Sequence, residues 1–147
     1  MKPLAINKRA SFDYELLDHY EGGLVLTGEE VKSAKMGHMS LKGAFVTVHG
    51  TELYLTNSLI SRYPHAHRDT RHDDTRPRKL LLKHSEIRSL IGKIKTAGLT
   101  LVPIQAYTRK QLVKLEFAVG KGKKSYDKRE TIKKREVRRE MGRAMKE

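Results

Sequence analysis

A mainly β, barrel-like fold is what this sequence predicts, and three observations predict it. Short stretches of period-two hydrophobic alternation recur along the chain, Gly-containing turns separate them, and two segments that read as helices interrupt the strands. Phe12, Tyr14 and Leu16 alternate with polar neighbours as a first strand. Glu21-Gly22-Gly23 reads as a turn leading into Leu24-Val25-Leu26. A short helix is expected over residues 29–36, where acidic residues open the segment, Lys32 and Lys35 fall late and Gly37 follows, a polarity that suits the helix dipole.

Ala44–Val48 and Leu53–Leu55 flank His49-Gly50-Thr51, a hairpin signal. Ile87, Leu90, Ile91 and Ile94 stand at i, i+3, i+4 and i+7, so a second helix presents one apolar face, with Ser85 as its expected cap and Gly98 past its end. Thr100, Val102 and Ile104 alternate, as do Val113, Leu115, Phe117 and Val119, which predicts a half-buried antiparallel pair. Pro103 in the first of these marks an edge or a bulge. About six short strands with two or three flanking helices suggest an OB-type antiparallel barrel, whose closure also removes exposed sheet edges.

Composition limits the function. The chain has 147 residues with 31 Lys+Arg against 17 Asp+Glu, a net charge of +14. A polyanion, nucleic acid first, is the partner such a balance suggests. No Cys is present, which excludes disulfide scaffolds, thiol enzymes, zinc ribbons and iron–sulfur centres. No apolar run reaches the roughly 18–20 residues of a membrane span. The N-terminal residues carry no apolar stretch of the secretory kind, so a cytoplasmic location without membrane partners is expected.

Two domains of unequal character are expected, an RNA-binding barrel over 1–119 and a basic tail over 120–147. The tail holds 12 Lys/Arg and 5 Asp/Glu, half the net charge, with few large apolar side chains. Such a segment is expected to be disordered when free. Val137, Met141 and Met145 fall on one helical stripe, so it can become helical on a partner. A solvated tail that serves only solubility is the alternative. Within the tail, Gly120-Lys121-Gly122-Lys123-Lys124-Ser125-Tyr126-Asp127-Lys128-Arg129 combines cations for phosphate, glycines for close approach and one aromatic for stacking on a base.

Enzymatic readings fare poorly. His65, His67, His72 and Asp73 offer metal ligands, but Arg68, Arg71, Arg76 and Arg78 crowd the same aperiodic loop and repel a dication. His72 with Asp73 or Asp74 is a weak candidate for nuclease acid–base chemistry, since loops position such groups poorly. No phosphate-binding loop, dinucleotide fingerprint or serine elbow is present. Neither an enzyme, a metal nor a cofactor is expected.

Several longer strings carry a resemblance: NKRA at 7–10, EGGLVLTGEEVKS at 21–33, RPRKLLL at 76–82, EIRSLIGK at 86–93, GLTLVPIQAY at 98–107 and GKGKKSYDKR at 120–129. In this order and spacing they resemble the SsrA-binding protein (small protein B) family across essentially the whole chain. The resemblance implies an OB-type barrel that binds the tRNA-like domain of transfer-messenger RNA. It also implies delivery to stalled ribosomes with elongation factor Tu and GTP, for trans-translation. The tail would occupy the empty decoding site and message channel as a helix.

Carried over residue by residue, the implied RNA contacts are Asn7 with Lys8 and Arg9, Glu21, Lys32, and Arg78, Lys79 and Leu81. The implied decoding-site segment is Gly120, Lys121, Gly122, Lys123 and Lys124, then Tyr126, Asp127, Lys128 and Arg129. Each has a chemical counterpart. Asn7 donates and accepts at once, Glu21 can accept from a base amino group, and Leu81 can pack on an unstacked base, although a strand leucine is more often core. The chain departs from the family pattern at Leu59, Arg62, Asp74 and Gly43, where histidine, proline, proline and aspartate are usual. A general structural RNA-binding protein of the ribosome is the second reading.

Overall fold

The structure is a computed structural model that describes residues 3–64, 72–123, 129 and 132–139. Its main sheet contains β1 (Pro3–Ile6), β2 (Tyr14–Leu24), β4 (Phe45–His49), β5 (Glu52–Thr56), β7 (Arg78–Leu81), β8 (Thr100–Arg109) and β9 (Leu112–Gly122). Strand order is β1-β8-β4-β5-β7-β2-β9, and β9 pairs back onto β8. Six strands thus close a ring, every pairing is antiparallel, and β1 lies outside the ring on β8. A separate two-stranded sheet joins β3 (Met39–Ser40) to β6 (Leu59–Ile60). The expected OB-type barrel is the fold observed.

The inward positions fill the ring. Leu53, Leu55, Leu80, Leu115 and Phe117 are fully buried, joined by Leu41, Ile60 and Leu90 from the flanking elements. The expected hairpin forms across a two-residue turn, in which Gly50 takes φ +64° at the first central position. A side chain there would be strained, which is why the connection needs glycine. Pro103 sits at a register shift between Pro103 and Gln105, the bulge its missing N–H calls for.

Helix α3 (His84–Ala97) covers the ring with Ile87 and Leu90, and Lys93 ties it to β2 through Asp18 at 2.7 Å. Its cap is Lys83, with no side-chain hydrogen bond, so Ser85 lies inside the first turn instead of capping it. Helix α2 (Gly28–Lys35) is held by a capping box that the charge pattern alone did not reveal. Thr27 Oγ1 accepts from the Glu30 amide at 3.2 Å, and Glu30 Oε1 accepts from the Thr27 amide at 2.9 Å.

Two further expectations fail for local reasons. Phe12 belongs to α1 (Ala10–Asp13), a single turn fixed by the Arg9–Asp13 ion pair at 3.2 Å, and not to a strand. Glu21-Gly22-Gly23 is no turn: β2 runs through it, and Gly23 pairs with Lys114 on one side and Leu81 on the other. Glycine serves close packing here. A Cβ on Gly22 would lie 2.9 Å from Leu82 Cδ1 and 3.4 Å from Leu80 Cδ2. Among the described residues, no helix is long and apolar enough to cross a membrane.

Candidate nucleic-acid interface

Alternation along β7 sorts its four residues. Arg78 and Leu80 point inward, at 0% and 1% exposure, while Lys79 and Leu81 point outward. Leu81 is 54% exposed, so it is not the core residue that a strand leucine usually is. Register carries the outer face onward. Leu81 lies opposite Gly23, Gly23 opposite Lys114, and Lys114 opposite Tyr107. One step along, Glu21 faces Glu116, Glu116 faces Gln105, and Gln105 faces Ile6, the residue before Asn7. One transverse band of the barrel therefore carries Leu81, Glu21 and the edge of the Asn7–Arg9 segment.

Glu21 is held on this band by two donors. Tyr107 Oη makes a short hydrogen bond to Oε2, and Arg109 Nη1 lies 3.2 and 3.3 Å from the two oxygens. The Tyr107 bond, helped by the charges of Arg109 and Lys114, keeps the Glu21 carboxyl below its ordinary range against some burial. Burial first, and the carboxylate second, push the Tyr107 phenol up to about 12. Glu21 is thus an oriented anion whose Oε1 has acceptor capacity left for a donor from outside. Tyr107, Arg109 and Lys114 were missed in the sequence. The signal for them was register, since alternation in the β8–β9 pair places Tyr107 and Lys114 together on the outer face.

Lys79 joins the band from β7, with Nζ 3.0 Å from Glu52 Oε1 of β5 while Tyr54 Oη donates to Glu52 Oε2 at 2.8 Å. That carboxylate raises the Lys79 pKa, so the ammonium stays charged. Asn7 is anchored inward at the bulge: its Nδ2 donates to Pro103 O at 2.8 Å and its amide to Ile104 O at 2.7 Å. Its Oδ1 accepts from the Arg9 amide at 3.3 Å. Asn7 therefore shapes the segment that presents Lys8 and Arg9, both exposed.

Arg78 requires a correction. Expected to touch RNA, it is buried, and every donor nitrogen is engaged inside the protein. Nε reaches Glu30 Oε2 at 2.8 Å, Nη1 reaches Ser58 O and Oγ at 2.7 and 3.0 Å, and Nη2 reaches Asp74 O at 3.0 Å. Arg76 makes a further short bond to Glu30 Oε1. Two of the sequence strings, EGGLVLTGEEVKS and RPRKLLL, thus meet in one buried ion cluster. Lys32 also stands away from the band, with Nζ 5.5 Å over the Tyr63 ring beside the 72–76 segment. His72 Nε2 is spent on Ile60 O at 2.8 Å and Asp74 Oδ1 at 3.0 Å, while His65 and His67 lie outside the described residues.

The comparisons decide the family. The model of the SmpB protein family matches residues 4–147. The chain belongs to the SmpB family. It is similar to the SsrA-binding protein of Halothermothrix orenii, at 46% identity over all of this chain and 94% of that one. To that of Geobacillus kaustophilus it is 47% identical over 99% and 94%. To that of Thermosynechococcus vestitus it is 44% identical over 100% and 97%. Among solved structures it is similar to a chain of "tmRNA-SmpB: a journey to the center of the bacterial ribosome", at 40% identity and a TM-score of 0.66, over 82% of this chain and 84% of that one.

In this SmpB-family chain the C-terminal segment leaves the barrel later than its composition suggests. Gly120, Lys121 and Gly122 are still in β9, opposite Leu16, Glu15 and Tyr14. Gly120 does permit close approach, but to the protein itself: a Cβ there would lie 2.7 Å from Val102 Cγ2 and 3.3 Å from Tyr14 Cβ. The Lys123 amide donates to Asp13 O at 2.9 Å and its Nζ to Ser11 O at 2.8 Å. Lys124, Tyr126, Asp127 and Lys128 lie outside the described residues, as do Met141 and Met145. Arg129 is exposed, and residues 132–139 are helical with every side chain exposed. Arg135 of that helix donates to Ser11 Oγ at 3.1 Å.

Proposed function

We propose that this chain binds the tRNA-like domain of transfer-messenger RNA and delivers it to stalled ribosomes for trans-translation. The observation that carries the reading is end-to-end similarity, at 44–47% identity, to proteins that bind SsrA. The barrel supplies a physical means. Its outer band offers an exposed apolar contact at Leu81, an oriented acceptor at Glu21, and cations at Lys79, Lys114, Lys8 and Arg9 for phosphate. Asn7 acts as a positioning residue for Lys8 and Arg9. Lys32 serves as a separate cation away from the band.

The tail enters the decoding site through residues from Lys123 onward, with Tyr126, Asp127, Lys128 and Arg129 at the codon's place. Gly120, Lys121 and Gly122 set its root in β9. Elongation factor Tu with GTP joins through the shared RNA. The protein acts in the cytoplasm as a carrier, without catalysis.

Leu81 tests the reading. It is exposed, so Leu81→Ala should leave the melting temperature unchanged. It should weaken binding to tRNA-like-domain RNA by about tenfold, the scale of one lost base contact, and bulk ribosomal RNA should compete poorly against the wild type. Equal affinity of the wild type for ribosomal RNA at moderate salt would return the general ribosomal reading.

A further inference from the structure

At the β1 end of the outer band, the N-terminal segment and the turn between β3 and β4 enclose a groove of about 620 Å³. Its sides expose two apolar groups that a barrel surface would normally cover, Ile6 at 54% and Phe45 at 46%. Two hydrogen bonds hold the turn wall. The Ala44 amide donates to Leu41 O at 3.0 Å, Gly43 takes φ +74° at the third position, and Asn57 Nδ2 donates to Gly43 O at 3.1 Å. That is a type II turn, which needs glycine at that position.

The polar groups of the groove are placed at its edge. Ser40 Oγ accepts from the Lys42 amide at 3.2 Å, which leaves its hydroxyl hydrogen available to donate. Lys8 and Lys42 are exposed on opposite walls, and neither ammonium has an acidic partner among the described residues. Among the described residues the lining holds one carboxylate, Asp13, and it is already paired with Arg9. An aromatic face, a hydroxyl at the rim and two exposed cations complement a nucleotide: ring, base edge and flanking phosphates in that order. The excess of positive charge argues against a cationic or neutral peptide in the same place.

We propose that this groove takes one unstacked RNA nucleotide, its base against Phe45 and Ile6, its edge toward the Ser40 hydroxyl and its neighbouring phosphates on Lys8 and Lys42. The site rests on the RNA-binding function above and adds a base pocket to it. Phosphate contacts at Lys8 alone position an RNA; a stacked base fixes its register.

Two probes test it on the full-length protein: tRNA-like-domain RNA, and a single-stranded oligouridylate carrying 4-thiouridine. Phe45→Ala should weaken binding of both by about tenfold, while Phe45→Tyr, which keeps the ring, should bind like the wild type. Photo-crosslinks from 4-thiouridine should map to the 40–45 turn. A perfect RNA duplex, which has no base to insert, should bind Phe45→Ala and wild type alike. Unchanged affinity of Phe45→Ala for both single-stranded and tRNA-like RNA, or an equal loss for the duplex, overturns the pocket. If the wild type shows no preference for tRNA-like RNA yet Phe45→Ala loses the oligouridylate, the pocket stands and the proposed function falls.

Discussion

Arg78→Ala is expected to destabilise the barrel by about 3–5 kcal/mol, because it strands the Glu30 carboxylate in the interior without its main buried partner. For a domain of this size that lowers the melting temperature by roughly 10–15 °C. The side chain is fully buried, and its four hydrogen bonds join α2, the residue before β6 and the 72–76 segment to β7. Urea unfolding measures the loss. RNA affinity of the folded fraction at low temperature should match the wild type, and a variant of normal stability that fails to bind RNA would refute the structural role. Glu30→Ala should cost a similar amount, and the double variant less than the sum, since both remove one cluster.

The same cluster sets an acid limit. Burial disfavours the Glu30 carboxylate, but hydrogen bonds from Arg76, the Thr27 amide and Arg78 outweigh it and lower the pKa below 4.5. A depressed folded pKa means that the carboxylate contributes its full stabilisation above the ordinary carboxylate range. That contribution fades as pH falls from the ordinary carboxylate range through the lowered value. The wild type should therefore lose stability with acid more steeply than Glu30→Ala does.

A chain ending at Lys123 should keep most of its affinity for tRNA-like-domain RNA at moderate salt and support no peptide tagging on stalled ribosomes. The band proposed to bind RNA lies on β7, β2, β9 and β8, all complete by Gly122. A chain ending at Val119 should lose tagging and stability together. It lacks the pairs of Gly120, Lys121 and Gly122 with Leu16, Glu15 and Tyr14, and the Lys123 bonds to α1. Comparing the two by melting temperature, RNA binding and tagging separates the tail's work from the barrel's. If the chain ending at Lys123 still tags, the tail has no role in decoding-site entry.

Much of the fold was legible because local patterns agreed with it. Alternation in 100–104 and 113–119 marked β8 and β9, Gly50 marked the hairpin, and Ile87 with Leu90 marked the buried side of α3. Legibility failed where one signal had two physical causes. Two glycines after Glu21 suit a turn or a tight strand contact, and only the nearness of Leu80 and Leu82 selects the second. Phe12 fits an alternating strand, but the Arg9–Asp13 pair and the Asn7 anchor wind it into a turn of helix. Basic residues around β7 look alike in a string, yet alternation buries Arg78 and exposes Lys79.

A cationic, cysteine-free, mainly β chain with a charged C-terminal segment and the motif strings of its family is readable from the residues alone. Those properties are local or additive: charge sums, and period two reports a half-buried strand wherever it occurs. Tertiary structure alone decided which residues of each motif face outward. It placed Leu81, Glu21 and Tyr107 on one band, drew Arg78 into an ion cluster with Glu30, and kept Gly120 to Gly122 in the sheet. Such outcomes depend on partners distant in the chain, and ring closure fixes those only once every strand is paired.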